Sequence, residues 1–280
     1  MFVPPSVVSS PVDCPGIHQP DGPWCMNLVI DWGNSSVKTG WFDGDTLLST
    51  GHFTDPDGLL AAMSDPTTIP PDHVLVSSTS RSAADIRAGF GALPVQVLDA
   101  QLPVPIGNAY ETPATLGTDR LAAAVGATVR FPGRDCLVLD LGTCLTADWV
   151  DAGGTFRGGL IGPGLHMRFR AMHTLTARLP LVEALPPGAD WPALTAGNTR
   201  EAMRSGVLNG LVFELDGLIG AYREKQPELA VLVCGGDGPL LASRLKAPIF
   251  AVPELVLIGL NRILRYNVEN LRAGMPADSK

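Results

Sequence analysis

A pair of short apolar runs broken by a glycine occurs twice in this chain and constrains its fold more than any other feature. One copy, LVLDLGTCLTAD, begins at Leu137, and the other, LVIDWGNSSVK, begins at Leu28. Runs this short are typical of the two strands of a hairpin rather than of a helix. The acids Asp31 and Asp140 lie 109 residues apart, far beyond any solenoid period. The repetition therefore predicts a duplicated domain and not a repeat array.

The break in each hairpin carries the candidate chemistry. A glycine allows backbone N–H groups to approach an anion closely, and Thr143 adds a hydroxyl donor, so the turn could hold a phosphate. Asp140 beside such a phosphate would be repelled unless a cation lay between them. One such hairpin alone could equally be an ordinary hairpin with a polar turn. Two of them facing each other across a cleft favour the binding of a nucleotide polyphosphate together with a metal ion.

Composition limits the remaining classes of protein. The chain has 280 residues, of which 45% are hydrophobic and 17% charged, which is typical of a compact protein with room for two cores. The net charge of −8 argues against a nucleic-acid partner, which needs a basic face. No apolar run approaches the ~18 residues that span a bilayer, so we expect no membrane protein. The five scattered cysteines predict reduced thiols and a cytoplasmic location.

The order of elements predicts an α/β protein made of three segments. Residues 1–25 contain six prolines and no periodicity, and we interpret them as a flexible extension. Residues 26–134 begin with strand-like runs and continue with alternating strands and helices, as in an α/β domain. Residues 135–280 form the second domain. Met26 immediately precedes the first strand, so we expect the folded unit to start there.

Three further stretches are candidate site elements. The alanine-rich helix after Gly117 places Asp119 at its start, where an acid is either a helix cap or a general base at the mouth of the cleft. The glycines between residues 158 and 164 precede a basic helix and form either a phosphate loop or a tight turn. Gly235 and Gly236 end a buried strand, where a flat ligand could lie against the backbone.

These motifs occur in an order that resembles type III pantothenate kinase, a family of the superfamily that contains actin, sugar kinases and acetate kinase. The resemblance covers roughly residues 26 to 270 and rests on the two hairpins, Gly117-Thr-Asp-Arg120, Gly158-Gly159 with Pro163-Gly164, Asn198-Thr199 and Gly235-Gly236-Asp237. It implies two ribonuclease-H-like domains with the actin-like ATPase fold around a central nucleotide cleft. It also implies a homodimer that phosphorylates pantothenate with ATP, the first step of coenzyme A synthesis.

The resemblance also assigns roles to individual residues. It makes Asp119 the catalytic base, and it places a monovalent cation, K⁺ or NH₄⁺, on Asp140, in addition to the Mg²⁺ that accompanies ATP. The residues that the motifs assign to the nucleotide are Asp31, Gly33, Asn34, Ser35, Ser36, Lys38, Thr143, Gly235 and Gly236. The residues assigned to pantothenate are Tyr110, Gly117, Thr118, Arg120 and Thr199.

Two departures from the family and two rival functions are open at this point. The first 25 residues have no counterpart in the family, and Cys144 stands where a smaller residue is usual, which we expect to affect packing only. One rival is a nucleotide-binding regulator of the same fold that transfers no phosphate, and the other is a kinase for a sugar or for acetate. A regulator has no need of a base beside the acceptor, so Asp119 distinguishes it from an enzyme. Either Asp31 or Asp148 could contact Mg²⁺ directly.

Overall fold

The computed structural model describes residues 26–34, 36–63, 70–90, 93–185, 188–246 and 248–274. The predicted extension of residues 1–25 and the predicted nucleotide contact Ser35 lie outside the described residues. The strands are β1 (Met26–Trp32), β2 (Val37–Asp43), β3 (Thr46–Phe53), β4 (His73–Ser78), β5 (Val95–Leu98), β6 (Gly107–Asn108), β7 (Cys136–Leu141), β8 (Cys144–Val150), β9 (Thr155–Pro163), β10 (Ala230–Cys234) and β11 (Phe250–Ala251). The α-helices are α1 (Pro56–Met63), α2 (Ala83–Gly89), α3 (Thr118–Arg130), α4 (Leu165–Leu175), α5 (Thr199–Lys225), α6 (Gly238–Ala242) and α7 (Leu255–Gly274).

Both predicted hairpins form. β1 pairs antiparallel with β2 so that Asp31 stands opposite Lys38, and β7 pairs in the same way with β8. The first strand of each hairpin reads as a nearly continuous apolar run because it is buried on both faces. In β1, Leu28 and Ile30 belong to one core and Val29 belongs to another. The strands β1 and β7 therefore lie in the interior of their sheets, and only the ends of these strands can reach a cleft.

The two sheets have the same strand order, as a duplicated domain requires. The order is β3-β2-β1-β4-β5 in the first sheet and β9-β8-β7-β10-β11 in the second, where β6 is added beyond β9. In both sheets the fourth and fifth strands of the unit run parallel to the first. Each half ends with a helix, α3 in the first half and α7 in the second. The predicted α/β class is confirmed.

The helices form three layers around the two sheets. α1 and α2 cover the outer face of the first sheet, and α4, α5 and α6 cover the outer face of the second. α3 and α7 lie between the sheets, in a central core that includes Val29 and Leu75 of the first sheet and Val138 and Leu232 of the second. Within this layer, α7 packs on β1 and β4, and α3 packs on β7 and β8. The two halves therefore share one central core.

The helix α7 runs from Leu255 to Gly274 and contains a buried asparagine, Asn267. Its Nδ2 donates to the carbonyl oxygen of Ile263 in the same helix and to that of Pro103 in the loop before β6, each at 2.9 Å, so this buried amide is hydrogen-bonded. Within the described ranges, no helix is both long enough and apolar enough to cross a membrane.

Candidate active site

The carboxyl ends of the central strands bring one acid from each sheet to the cleft. Asp31 lies near the end of β1, beside Ser77 of β4, and Asp140 lies near the end of β7, beside Cys234 of β10. Ligands of open α/β sheets bind outside the carboxyl ends of the strands. The two acids are close enough for Asp140 to influence the charge of Asp31. The two predicted phosphate hairpins therefore open into the same cleft.

The first turn of α3 bridges the two sheets and holds Asp119 between them. On one side, the hydroxyl of Thr118 lies 2.9 Å from the hydroxyl of Ser77. On the other side, Nε of Arg120 donates to both carboxylate oxygens of Asp148 on β8, each at 3.1 Å. Because both neighbours of Asp119 are anchored, its carboxylate has a fixed position relative to both sheets. A general base requires such a position.

Gly117 allows the carboxylate of Asp119 to turn back over the start of the helix. A Cβ at Gly117 would lie only 2.5 Å from Oδ1 of Asp119, so a larger residue would displace the carboxylate. The backbone N–H of Arg120 donates to the same oxygen at 2.8 Å. The charge of Asp119 also acts on Asp31 and Asp140. The sequence left two interpretations of Asp119 open, an acid that stabilises the start of a helix and an acid that faces the cleft. The contacts of Asp119 are compatible with both.

The charges of Asp119 and Lys38 act in opposite directions on Asp31 and Asp140 at the centre of the cleft. Burial and then the charge of Asp119 raise the pKa of Asp31 to about 7; Lys38 lowers this pKa and Asp140 raises it further. Burial also raises the pKa of Asp140 to about 6, where Lys38 again lowers it and Asp119 raises it. The excess of negative charge over positive charge suits a bound cation.

A cavity of about 780 Å³ lies between the two hairpins. Ser36 and Lys38 line it from the first hairpin, Gly142 and Thr143 line it from the second, and Gly236 lines it from the loop after β10. Ligand pockets in proteins commonly measure ~300–1,000 Å³, so the volume suits a nucleotide. The structure thus brings four of the predicted nucleotide residues, Ser36, Lys38, Thr143 and Gly236, together with the two hairpins.

The predicted loop glycines and Asn34 have different surroundings. The N–H of Gly33 donates to the carbonyl of Ser36 at 3.0 Å and closes the first loop, while Asn34 is exposed. Gly235 has φ +86°, and a Cβ there would lie 2.4 Å from Oδ1 of Asp140. Only glycine therefore fits at position 235 without displacing the carboxylate of Asp140.

The far wall of the 780 Å³ cavity comes from segments in which the sequence shows no motif. His166 and Arg170 reach it from α4, and the segment Leu181–Leu185 completes this wall. His166 Nε2 lies 3.5 Å from Oδ1 of Asp237, which follows the two glycines after β10. On the opposite side, His52 of β3 stands beside Lys38 in the register of the first sheet. Basic side chains of both halves therefore surround the space between the hairpins.

The guanidinium group of Arg120, which is hydrogen-bonded to Asp148, also lies over the ring of Tyr110. The centroid of this ring is 5.6 Å from the Arg120 guanidinium carbon and 5.9 Å from the ring centroid of Phe156. Arg120 is 6% exposed and Asp148 is 1% exposed. Burial lowers the pKa of Arg120, but the hydrogen bonds and the charge of Asp148, together with Tyr110, outweigh burial and raise this pKa above its usual value. Arg120 is thus engaged in holding α3, and Asp148 is engaged as its partner rather than left open for Mg²⁺.

Thr199 lies apart from the other predicted pantothenate contacts. It is the exposed first residue of α5, and Asn198 caps this helix by accepting the N–H of Glu201 at 3.0 Å. α5 packs on the outer face of the second sheet, whereas Tyr110 packs on the central core on the inner face. No contact between described residues joins Thr199 to Tyr110. One copy of the chain therefore does not gather all five predicted pantothenate residues.

The sequence of this chain is similar to those of known proteins. Residues 27–221 match the family model of type III pantothenate kinase. A type III pantothenate kinase of Cytophaga hutchinsonii is 46% identical over 243 residues, which cover 87% of this chain and 100% of that protein. A type III pantothenate kinase of Bacteroides fragilis is 42% identical over 246 residues, covering 86% of this chain and 98% of that protein.

Solved structures with low sequence identity share the fold. The activator of 2-hydroxyisocaproyl-CoA dehydratase from Clostridium difficile with bound ADPNP has a TM-score of 0.54 at 11% identity, covering 91% of this chain and 100% of that chain. A ROK family glucokinase from Streptomyces griseus in complex with glucose and AMPPNP has a TM-score of 0.50 at 14% identity, covering 86% and 96%. The predicted fold, two ribonuclease-H-like units of the actin-like ATPase type, is confirmed.

Proposed function

Because the chain belongs to the type III pantothenate kinase family, we propose that it transfers the γ-phosphoryl group of ATP to the primary hydroxyl of pantothenate. The product is 4′-phosphopantothenate, and the reaction is the first step of coenzyme A synthesis. The observation that carries the proposal is the position of Asp119. The first turn of α3 is tied to both sheets, the charge of Asp119 acts on the acids of both hairpins, and a cavity of nucleotide size lies between the same hairpins.

The proposed mechanism relies on positioning and charge neutralisation, because phosphoryl transfer needs little covalent help from the protein. Ser36, Lys38 and Thr143 hold the phosphates of ATP from the two hairpins. Asp119 orients the acceptor hydroxyl and accepts its proton as the phosphoryl group is transferred. A regulator that only sensed the nucleotide would have no use for an anchored carboxylate at this place.

The residues present fit the cations that the family implies. No three His, Cys, Asp or Glu side chains form a metal site within the part of the chain that the structure describes. Mg²⁺ would therefore be held mainly by the phosphates, with the acids of the cleft close to its waters, and would neutralise the charge of the phosphates. A monovalent cation, K⁺ or NH₄⁺, fits Asp140, whose carboxylate approaches the bare Cα of Gly235 and gains a raised pKa from burial.

We also propose a cytoplasmic homodimer. The separation of Thr199 from Tyr110 within one chain supports it, because a second copy could bring its own Thr199 to the pantothenate pocket. Exposed apolar side chains on the same half of the molecule, Leu194 at 70% and Phe213 at 56% exposure, are suited to an interface between copies. Sedimentation of the purified chain tests this part of the proposal, and a monomer at micromolar concentration would contradict it.

Coupled ADP release tests the proposed activity. The purified chain is supplied with ATP and Mg²⁺, and with pantothenate, glucose or acetate as acceptor. We expect ADP release only when pantothenate is the acceptor, and we expect mass spectrometry to detect 4′-phosphopantothenate in that reaction. Release with glucose or acetate instead would indicate a kinase for another acceptor. Nucleotide binding without release for any acceptor would indicate the regulator.

A further inference from the structure

Arg157 occupies an irregular position at the edge of the second sheet. The antiparallel ladder of β8 and β9 pairs Trp149 with Gly158 and Val150 with Phe156, so Arg157 stands opposite no residue of β8. A bulge of this kind bends the strand and redirects the side chain of the extra residue. The backbone N–H of Ala109, which follows β6, donates to the carbonyl of Phe156 at 2.9 Å. The bulge thus brings Arg157 next to the segment that carries Tyr110.

A second cavity, of about 320 Å³, lies at this bulge. It is lined by residues 109–112 and 157–159, so Tyr110 and Arg157 share it. The ring of Tyr110 also lies close to the backbone of Gly158, since a Cβ there would be 3.4 Å from the ring. On its other side the same ring contacts Arg120, the neighbour of Asp119. Tyr110 therefore connects this cavity to the first turn of α3.

The guanidinium group of Arg157 is tethered but keeps donors for another acceptor. Its Nε donates to Oδ2 of Asp151 at 2.6 Å, and Oδ1 of Asp151 accepts the N–H of Thr155 at 2.9 Å. Asp151 is thereby fixed to the turn before β9, and it orients Arg157. The side chain of Arg157 is 46% exposed, and its two terminal nitrogens take no part in this hydrogen bond.

Arg120 does not offer the same donors. Its Nε and Nη2 both donate to Asp148, at the back of the first turn of α3. The acceptor substrate of the proposed reaction has a hydroxyl at one end and a carboxylate at the other. If the hydroxyl lies at Asp119, the carboxylate needs a cation elsewhere. An arginine fork binds a carboxylate through two parallel hydrogen bonds.

We propose that Arg157 binds the carboxylate of pantothenate in the cavity at the bulge, and that it determines the specificity for an anionic acceptor. This proposal rests on the proposed function. Glu111, an exposed acid, lines the same cavity and opposes the binding of an anion. Arg157 and Glu111 therefore have opposite effects on the affinity for pantothenate, and this difference in sign makes the proposal testable.

Steady-state kinetics of Arg157→Gln at saturating ATP test the proposal. The carboxylate of pantothenate does not change between the ground state and the transition state. Removal of its partner Arg157 should therefore raise KM for pantothenate and leave kcat nearly unchanged. We expect KM to rise about tenfold, the lower end for a hydrogen bond to a charged group, because the guanidinium is partly exposed. Arg157→Lys keeps the charge without the fork and should recover part of the affinity.

The matched control is Arg223→Gln. Arg223 lies at the end of α5, donates to the carbonyl of Pro248 at 2.8 Å and lines neither cavity. Its substitution should leave KM for pantothenate unchanged. KM for ATP, measured for both variants, should stay at the value of the unmodified chain. An unchanged KM for pantothenate in Arg157→Gln, or a fall in kcat alone, would overturn the proposal.

Glu111→Gln provides an independent arm if the arginine variant does not fold. Removing an exposed like charge should lower KM for pantothenate about twofold to fivefold. A raised or unchanged KM would count against the proposal. The activity of the unmodified chain distinguishes this inference from the proposed function. If the unmodified chain phosphorylates pantothenate and both variants have the same KM as the unmodified chain, only the role proposed for Arg157 is wrong. If the unmodified chain does not phosphorylate pantothenate at all, the proposed function itself fails.

Discussion

The hairpins β1–β2 and β7–β8 hold the same place in their two sheets but differ in what stands beside the acid. In the first hairpin, Lys38 stands directly opposite Asp31. In the second, no basic residue stands opposite Asp140, which instead receives the thiol of Cys234 and lies against Gly235. Lys38 nevertheless lowers the pKa of both carboxyl groups. The duplicated unit thus supplies two acids and one lysine, and the monovalent cation that we propose would add positive charge beside Asp140.

The largest effect is expected at the acid that lies between the two hairpins. Asp119→Asn keeps the shape of the side chain and removes its ability to accept a proton, so turnover should fall by ~10²–10⁴. Nucleotide binding should survive, since the residues that line the large cavity are unchanged. Turnover and the binding of a non-hydrolysable ATP analogue are measured side by side. Near-normal turnover would reduce Asp119 to an acid that only stabilises the start of α3.

A pair of variants compares the two hairpin acids through stability. Asp31, with its pKa raised to about 7, keeps a proton in the folded state that the unfolded chain loses above about pH 4. Stability from this group is therefore complete below about pH 4 and is lost as the pH rises towards 7. Asp31→Asn removes this loss of folding free energy, which amounts to up to ~4 kcal/mol when the pKa in the folded state lies about three pH units above its ordinary value. The variant should therefore melt several degrees higher than the unmodified chain at about pH 8.

Asp140→Asn should act in the same direction but less strongly, because the pKa of Asp140 is raised only to about 6. Both variants are measured without nucleotide, Mg²⁺ or K⁺, over the range from about pH 4 to about pH 8. At the acid end both should melt like the unmodified chain. A larger gain for Asp140→Asn than for Asp31→Asn would reverse the comparison of the two hairpins.

Exchange of the monovalent cation tests whether the second hairpin needs a cation at Asp140. Two like charges ~4 Å apart repel by ~4 kcal/mol at an effective dielectric near 20. If about a third of this repulsion appears in the barrier, the rate changes about tenfold. Activity is measured at fixed Mg²⁺ and ionic strength while K⁺ is replaced by Na⁺ and then by a bulky organic cation. Equal rates in all three would contradict a cation at Asp140, whereas Asp140→Asn should raise the K⁺ requirement.

The smallest effect is expected from removal of the segment before the first hairpin. A chain that starts at Met26 should match the full chain in activity and in melting temperature. For a chain of this length, ~1 kcal/mol shifts the melting temperature by a few degrees, so a packed segment would be detected. A loss of several degrees would show that residues 1–25 contribute to the body of the protein.

Features with a local signal could be predicted from the sequence. Both hairpins, the helix after Gly117 and the strand that ends just before Gly235 follow from apolar runs and from glycine positions, and the structure contains them. The repeated order of these signals, rather than any one of them, indicated the family. Local patterns carry this information because strand and helix periods act over a few residues.

Features that depend on register or on long-range pairing could not be predicted. His52 stands beside Lys38, but the ladder of β2 and β3 shifts between Trp41 and Phe42, so its partner could not be counted from the turn. Arg157 is displaced by a second shift of this kind. The pairing of Arg120 with Asp148 and the place of Thr199 on the far side of a sheet likewise depend on tertiary contacts. One residue of register changes the face on which a strand side chain lies.

The shared central layer has a consequence for how this protein is made on the ribosome. The inner face of the first sheet, with Val29 and Leu75, is covered by α7, which begins only at Leu255. Nascent chains commonly complete one domain before the next is synthesised. Here the first half leaves the ribosome with an apolar face that α3 contacts mainly at β4 and that α7 covers at β1, β2 and β4. This face must therefore be protected from aggregation until α7 has been synthesised, and termination before α7 would release a product with much of that face exposed.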